Sequence, residues 1–550
     1  MPMLKTDTRN NGKEAMNWFY EKNEDLINSP VNKTFEELLW MTSVEFRQWV
    51  IDMRKTVVDL WDSKGLPPRV GYNEDEIIDN FQKMISFPIN ELEVDKDTVR
   101  NTSVIGNAVN QFFPTMMKTK ISYSTKGNAK SIYDYFADPA LLDTFVTYAS
   151  RHFKRDSFYH YSSPVSEGDV LTLSGNPYRV TNAQEFVEWF DSNVDKEKYD
   201  YWLCPVKENK TYTGYNVELG KKKNLLVEAA FDAPSRTKTN VDVERSNTYT
   251  IRLFKRGQKI FPIGLKAFRV SFCQYAVNFP PLTARYLYER FTNHIRNQDV
   301  INIYDPSSGW AGRLLGAMSV DINRRIHYIG TDPNTDHNTY DSRTKYHEVA
   351  DFFNENVRIK GKLFGNHHTY EMFQKGSEVI GQDPRFEKYK GKLDMIFTSP
   401  PYFAKEVYSD DPEQSCHKFN QYEAWVDGFL RPTLETCVES LRSDRYLLWN
   451  IADAAFDGQL LPLEEDSCKI LKSLGMEYVT TIKMTLAQMP GGNRTVETGE
   501  TEEIVTTTVF GDKVEEKSVV KGMMKNYCEV QAKDKKLMLK YEPIFVFRKP

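Results

Sequence analysis

Residues 299–318 read DVINIYDPSSGWAGRLLGAM. The apolar run at 300–304 has the length of a buried strand, and RLLGAM has the composition of a helix. Between them Asp305, Ser307, Gly309 and Gly312 make a turn in which missing Cβ atoms let a ligand approach the backbone. Strand, glycine turn and helix together begin a parallel sheet with crossover helices. Neither a GxGxxG spacing nor a glycine-rich loop ending in Lys-Ser/Thr is present, so the turn lacks the pattern of a pyrophosphate cradle. An acid at the strand tip, Asp305, suits a ligand carrying amines and hydroxyls; a plain structural turn is the alternative.

The same alternation continues outward. IHYIGTDPN (326–334), DMIFTSPPY (394–402), RYLLWNIAD (445–453) and YEPIFVFRKP (541–550) read as further strands separated by helical text. The expected fold of the C-terminal half is therefore α/β, a Rossmann-like doubly wound sheet that binds ligands at the carboxyl ends of its strands. Asp332 stands at the second tip, where an acid accepts hydrogen bonds from ribose hydroxyls; capping the next helix is its structural alternative. Glu378, in FQKGSEVIG, is a candidate third tip facing an adenine ring. The neighbouring His367, His368 and Glu371 lack the helical spacing of metal ligands and read as a solvated loop, so no metal is expected.

At 398–402 the third strand stops at Thr398-Ser399-Pro400-Pro401-Tyr402. Two prolines remove two donors and fix two φ angles. The Ser399 hydroxyl and the Pro400 carbonyl are two acceptors at one rigid point, stiffened by Pro401, and Tyr402 offers a face for stacking. An exocyclic amine is a poor nucleophile because its lone pair is delocalised into the ring. Two acceptors holding its N–H groups aim that lone pair at an electrophile, and positioning supplies most of the rate. A non-functional proline turn is the alternative.

This stretch resembles the [D/N/S]-P-P-[Y/F/W] motif of the S-adenosylmethionine-dependent DNA amino-methyltransferases, which methylate cytosine N4 or adenine N6. DPSSGWAG is similar to their cofactor motif, with Ser307 in place of the usual phenylalanine. NFPPLTARYLYERF, from Asn278, is similar to the segment preceding that motif, and YEPIFVFRKP to the closing strand. The resemblance covers roughly residues 275–550. It implies S-adenosyl-L-methionine held by Phe279, Pro280, Asp305, Ser307, Gly309, Gly312, Asp332 and Glu378. It implies catalysis by Ser399, Pro400, Pro401 and Tyr402 on a base flipped out of double-stranded DNA. Phe403, Glu406 and Tyr408 would shape the loop over that base. The SPPY form slightly favours cytosine N4. In the family, blocks of this kind serve restriction–modification, in the cytoplasm of a bacterial or phage-infected cell. An RNA base as substrate and a catalytically idle cofactor-binding module remain the competing expectations.

The remaining sequence sets the frame. At 550 residues more than one domain is expected: a mainly helical region at 1–160, a β-rich region at 161–270, and the α/β domain at 271–550 with an insertion near 489–536. Target recognition would fall to the first two regions, with Lys221, Lys222 and Lys223, Lys118 and Lys120, or Arg252, Lys255 and Arg256 as phosphate contacts; solvated charged faces are the alternative. A net charge of −5 argues against binding nucleic acid through bulk charge. The six cysteines are scattered singly, as reduced packed thiols are. No run reaches the roughly 18 apolar residues of a membrane span, so a soluble, unexported protein is expected.

Overall fold

The computed structural model describes residues 25–64, 74–101, 105–121, 130–153, 276–296, 298–320, 324–340, 343–356, 368–457, 459–486, 526–532 and 535–550, with shorter segments at 159–261 and 495–518. Packing divides the chain into two compact units: 22–70 with 134–272, and 1–21 with 71–133 and 273–550. The units therefore cut across the boundaries at 160 and 270 read from the sequence. Residues 71–133 lie with the C-terminal half.

The second of these units is built on one large sheet. The strands along its main path are β1 (Glu93–Asp95), β2 (Thr98–Arg100), β3 (Val300–Asp305), β4 (Arg325–Thr331), β5 (Thr369–Phe373), β6 (Leu393–Thr398), β7 (Leu441–Asn450), β8 (Glu477–Thr485) and β9 (Lys535–Arg548). Their spatial order is β1-β2-β8-β9-β7-β6-β3-β4-β5. Strands β5, β4, β3, β6 and β7 are mutually parallel, while β9 runs antiparallel between β7 and β8. The chain moves from β3 outward to β4 and β5, then returns to lay β6 on the other side of β3. That reversal makes β3/β6 the switch point, where a doubly wound sheet opens a crevice at its strand tips. The fold is α/β with a Rossmann-like doubly wound sheet, as expected.

The central strands are buried on both faces, which is why they read as continuous apolar runs. Every residue of β6 is buried. Successive side chains point to opposite faces: Ile303, Met395, Phe397, Leu448 and Val546 enter one core, and Tyr304, Ile396, Leu447, Trp449 and Phe547 the other. Helices α1 (Pro281–Thr292) and α2 (Gly312–Met318) cover the first face. Phe279, just before α1, and Tyr288 within it meet Phe397 edge-on at 5.1 and 5.9 Å. The stretch 71–133 brings β2 against β8 in parallel, and its Lys120–Ile121 pairs with Glu406–Val407. In the 489–536 region, Thr501–Thr508 and Gly511–Ser518 form an antiparallel hairpin.

The other unit carries helix Ser43–Lys64 and a six-stranded sheet that includes the hairpin Val170–Leu173 with Asn176–Val180. No helix among the described residues is long and apolar enough to cross a membrane. Cys416, Cys437, Cys468 and Cys528 are buried.

Candidate active site

The glycine turn after β3 is held from below. Asp305 is fully buried. Its carboxylate accepts from Arg313 Nε at 2.8 Å, Tyr328 Oη at 2.6 Å, Thr398 Oγ1 at 2.7 Å and the Ser307 N–H at 3.2 Å. These donors come from α2, β4, β6 and the turn itself. Asp305 therefore does not line the cavity as a ligand acceptor; four protein donors converge on it, and it ties the tip of β3 to the tip of β6. Arg313 also donates to the Ser307 carbonyl. Gly312 is a close-packing position: a Cβ there would collide with the Phe279 carbonyl and the Asn278 amide. It too lies behind the cavity wall.

Gly309 has φ +56, and a Cβ there would make only an ordinary contact with the Ser307 carbonyl at 3.9 Å. Its N–H donates to Asp332 Oδ2 at 2.9 Å, and its carbonyl accepts from the Tyr346 hydroxyl. Asp332 also accepts the Asn334 N–H at 3.0 Å, so it closes its own turn as well as bracing the glycine loop. Burial pushes its carboxyl up to about 6, against the pull of those two backbone donors. His337, fixed by Tyr346 at 2.9 Å, is driven down to about 3 by burial and is a neutral ring at neutral pH. Glu378 is buried and takes Lys418 Nζ at 2.9 Å.

At the tip of β6, Ser399 is half-buried and Pro400 is buried behind it. Tyr402 donates to Glu542 Oε1 at 2.9 Å, which fixes the ring direction. Phe403 has φ +53 and is buried against Tyr422, Trp425 and Phe456 at 5.4–5.9 Å. The expectation that Phe403 faces a substrate is thus corrected. The left-handed backbone turns its ring into the core, where it anchors the loop. Glu406 accepts from the Tyr408 hydroxyl, and burial raises its carboxyl. Tyr408 meets Trp310 edge-on at 5.4 Å.

One cavity joins these groups. Phe279, Pro280, Ser307, Gly309, Asp332 and Glu378 line it together with Ser399, Pro401, Tyr402, Glu406 and Tyr408. Residues from sequence positions 279 to 408 are gathered because their strands end side by side around the switch point. Asn278 and Trp310, which fall within motifs read from the sequence, also line it, as do Asn450, Glu542 and Asn101, which carried no signal there. Asn278 bridges, donating to the Trp310 carbonyl at 2.7 Å and accepting the Gly312 N–H at 3.2 Å.

Other candidates stand apart. Lys221, Lys222, Lys223 and His367 lie outside the described residues, as do the side chains of Arg252 and Lys255. Lys120 is paired with Asp410 at 3.2 Å, and Lys118 sits over the Tyr133 ring at 4.6 Å. His368 is a core residue and not part of a solvated loop: its ring nitrogens meet the Ile326 N–H and the Val320 carbonyl, both at 3.0 Å. Glu371 takes Tyr389 and Lys388.

The arrangement is a strand-tip cleft with hydrogen-bonding carboxylates at one end and a rigid Ser-Pro-Pro-Tyr turn at the other. No family model and no curated protein matches the chain. Among solved structures, it is similar to a Thermus thermophilus protein named as a putative DNA modification methylase, complexed with S-adenosyl-L-methionine. Identity there is 18%, over 32% of this chain and 54% of that one, at a TM-score of 0.18. It is also similar to TrmN from Thermus thermophilus (11%, 49% of each chain, TM-score 0.23). A third is a TehB-like SAM-dependent methyltransferase from Corynebacterium glutamicum (10%, 50% and 89%, TM-score 0.22). The chain thus spans about half the length of the first of these. Matches of this size add no weight, and the fold rests on the strand order itself.

Proposed function

We propose that the chain transfers a methyl group from S-adenosyl-L-methionine to the exocyclic amine of a DNA base, cytosine N4 ahead of adenine N6. The observation that carries this reading is that the Gly309–Asp332 end and the Ser399–Tyr402 end share one cavity at adjacent strand tips. Gly309 leaves room above its backbone, and Asp332 keeps a half-buried carboxylate at the wall; both fit a ribose with two hydroxyls. Phe279, Pro280, Ser307 and Glu378 complete that end. The cofactor supplies a methyl group on a positively charged sulfur.

The work of the protein is then positioning. The Ser399 hydroxyl and the Pro400 carbonyl accept the amine N–H groups, which turns the nitrogen lone pair out of the ring. Tyr402, anchored by Glu542, provides the stacking face, worth about 1–3 kcal/mol per base. Methylation would replace one N–H of the amine with a C–N bond, and the Ser399 hydroxyl, hydrogen-bonded to that nitrogen, would pass the released proton to solvent. No covalent bond to the protein is required. A base in a duplex reaches this cleft only when flipped out of the stack.

Incubation with methyl-labelled cofactor and either DNA or RNA, followed by digestion to nucleosides, tests the proposal. It expects label in N4-methylcytosine or N6-methyladenine from DNA. Label confined to RNA nucleosides would move the substrate to RNA, and label in neither would sink the reading.

The raised carboxyl of Asp332 gives a pH signature. Its folded value, about 6, lies above the ordinary aspartate value of 3.8. Between these the folded state binds the extra proton, so this group's contribution to stability is present below the unfolded value. That contribution is lost as pH rises through about 6. Hydroxyl donors prefer the ionised carboxylate, so cofactor affinity should change in the opposite sense and weaken as pH falls through about 6. Titrations of cofactor between about pH 5 and pH 8 should show that inflection, and Asp332→Asn should flatten it. An inflection that survives in Asp332→Asn would assign the proton to another group.

A further inference from the structure

We propose that Asn450 supplies an acceptor oxygen to the amine being methylated, which makes it a third member of the clamp formed by Ser399 and Pro400. The inference rests on the amine-methylation reading above. Thr398 and Trp449 are paired in register across β6 and β7. Ser399 and Asn450 are each the next residue, so they leave their strands side by side, at the roughly 4.8 Å spacing of neighbouring strands. Both line the cavity.

Asn450 is 0% exposed. Its Nδ2 donates to the Pro543 carbonyl at 3.0 Å, which settles the orientation of the amide; turned over, oxygen would face oxygen. Its Oδ1 is buried with no donor among the described residues. Burying an acceptor bare is unfavourable, and a ligand that brings an N–H removes the penalty. Further along the same wall, Asn101 presents a second bare Oδ1, and Glu542 presents the carboxylate that holds Tyr402.

This end of the cleft thus gathers acceptor oxygens from Asn450, Asn101 and Glu542. It is complementary to N–H groups and hostile to a carbonyl. An amine-bearing base finds partners here, whereas its keto counterpart sets oxygen against oxygen. The Ser399 hydroxyl carries its own proton and must rotate to accept. The amide oxygen of Asn450 presents only lone pairs, and its amide is held by the bond to Pro543.

The test uses the full chain with Asn450→Leu and Asn450→Asp. It measures single-turnover methyl transfer to the nucleic acid that the wild-type protein methylates, cofactor affinity by titration, and the thermal midpoint. Leucine removes the acceptor and the bond to Pro543 together. Aspartate keeps an oxygen where Oδ1 stands. Asn450→Leu should slow transfer roughly tenfold or more with cofactor affinity unchanged, and Asn450→Asp should recover most of the rate. Wild-type rates in Asn450→Leu would overturn the proposal. So would equal losses in both variants tracking a fallen midpoint, because the Pro543 bond would then be the whole role. If the wild-type chain methylates no nucleic acid, the functional reading itself has failed, an outcome visible before any variant is compared.

Discussion

Ser399→Ala should slow methyl transfer by about 100-fold, the scale that misplacing a reacting group costs, while cofactor affinity stays at the wild-type level. Ser399 lines the cavity at the tip of β6, and the glycine turn and Asp332 that would hold the cofactor lie on other strands. Removing one hydroxyl therefore touches the amine end alone. Single-turnover rates with labelled cofactor, set beside a cofactor titration of the same variant, check the split. Loss of both together would mean that Ser399 shapes the whole cleft. Loss of neither would remove it from the chemistry.

Asp305→Ala should lower the free energy of unfolding by about 3–5 kcal/mol, the cost of breaking a buried ion pair by deleting one partner. The Arg313 guanidinium and the Tyr328 and Thr398 hydroxyls would all lose an acceptor in the buried interior. Denaturant unfolding of the variant gives the number directly. Because Thr398 immediately precedes Ser399, any folded remnant should also lose activity through a displaced β6 tip. A change below about 1 kcal/mol would show that the donors find other partners.

What the sequence made legible follows from how local each signal is. Strands β3, β4, β6 and β7 are buried on both faces, so their apolar runs stood out, and the fold class with them. Ser399, Pro401 and Tyr402 were readable because two adjacent prolines are rare and stiff. Asp332 was readable because a strand tip is a definite place. Asp305 was also placed at a strand tip, but its role turned on Arg313, Tyr328 and Thr398 arriving from three other elements. No pattern along the chain encodes that convergence. Phe403 looked like one more aromatic of the catalytic loop until a positive φ turned it inward. Asn450, Glu542 and Asn101 share the wall only because the sheet places β2, β8, β9 and β7 in succession, and single polar residues announce nothing by themselves.

The pairing of β2 with β8 bears on how the protein can be cut. A fragment started at residue 271, the boundary that the sequence invites, would lack β1 and β2. It would leave β8 with a bare row of amides and carbonyls, the kind of open flank that recruits other chains. Such a fragment should aggregate, and it would also lack Asn101 from the cleft. Any shortened version would have to carry the 71–133 piece with it, so these two stretches of chain are better treated as one folded piece interrupted by another.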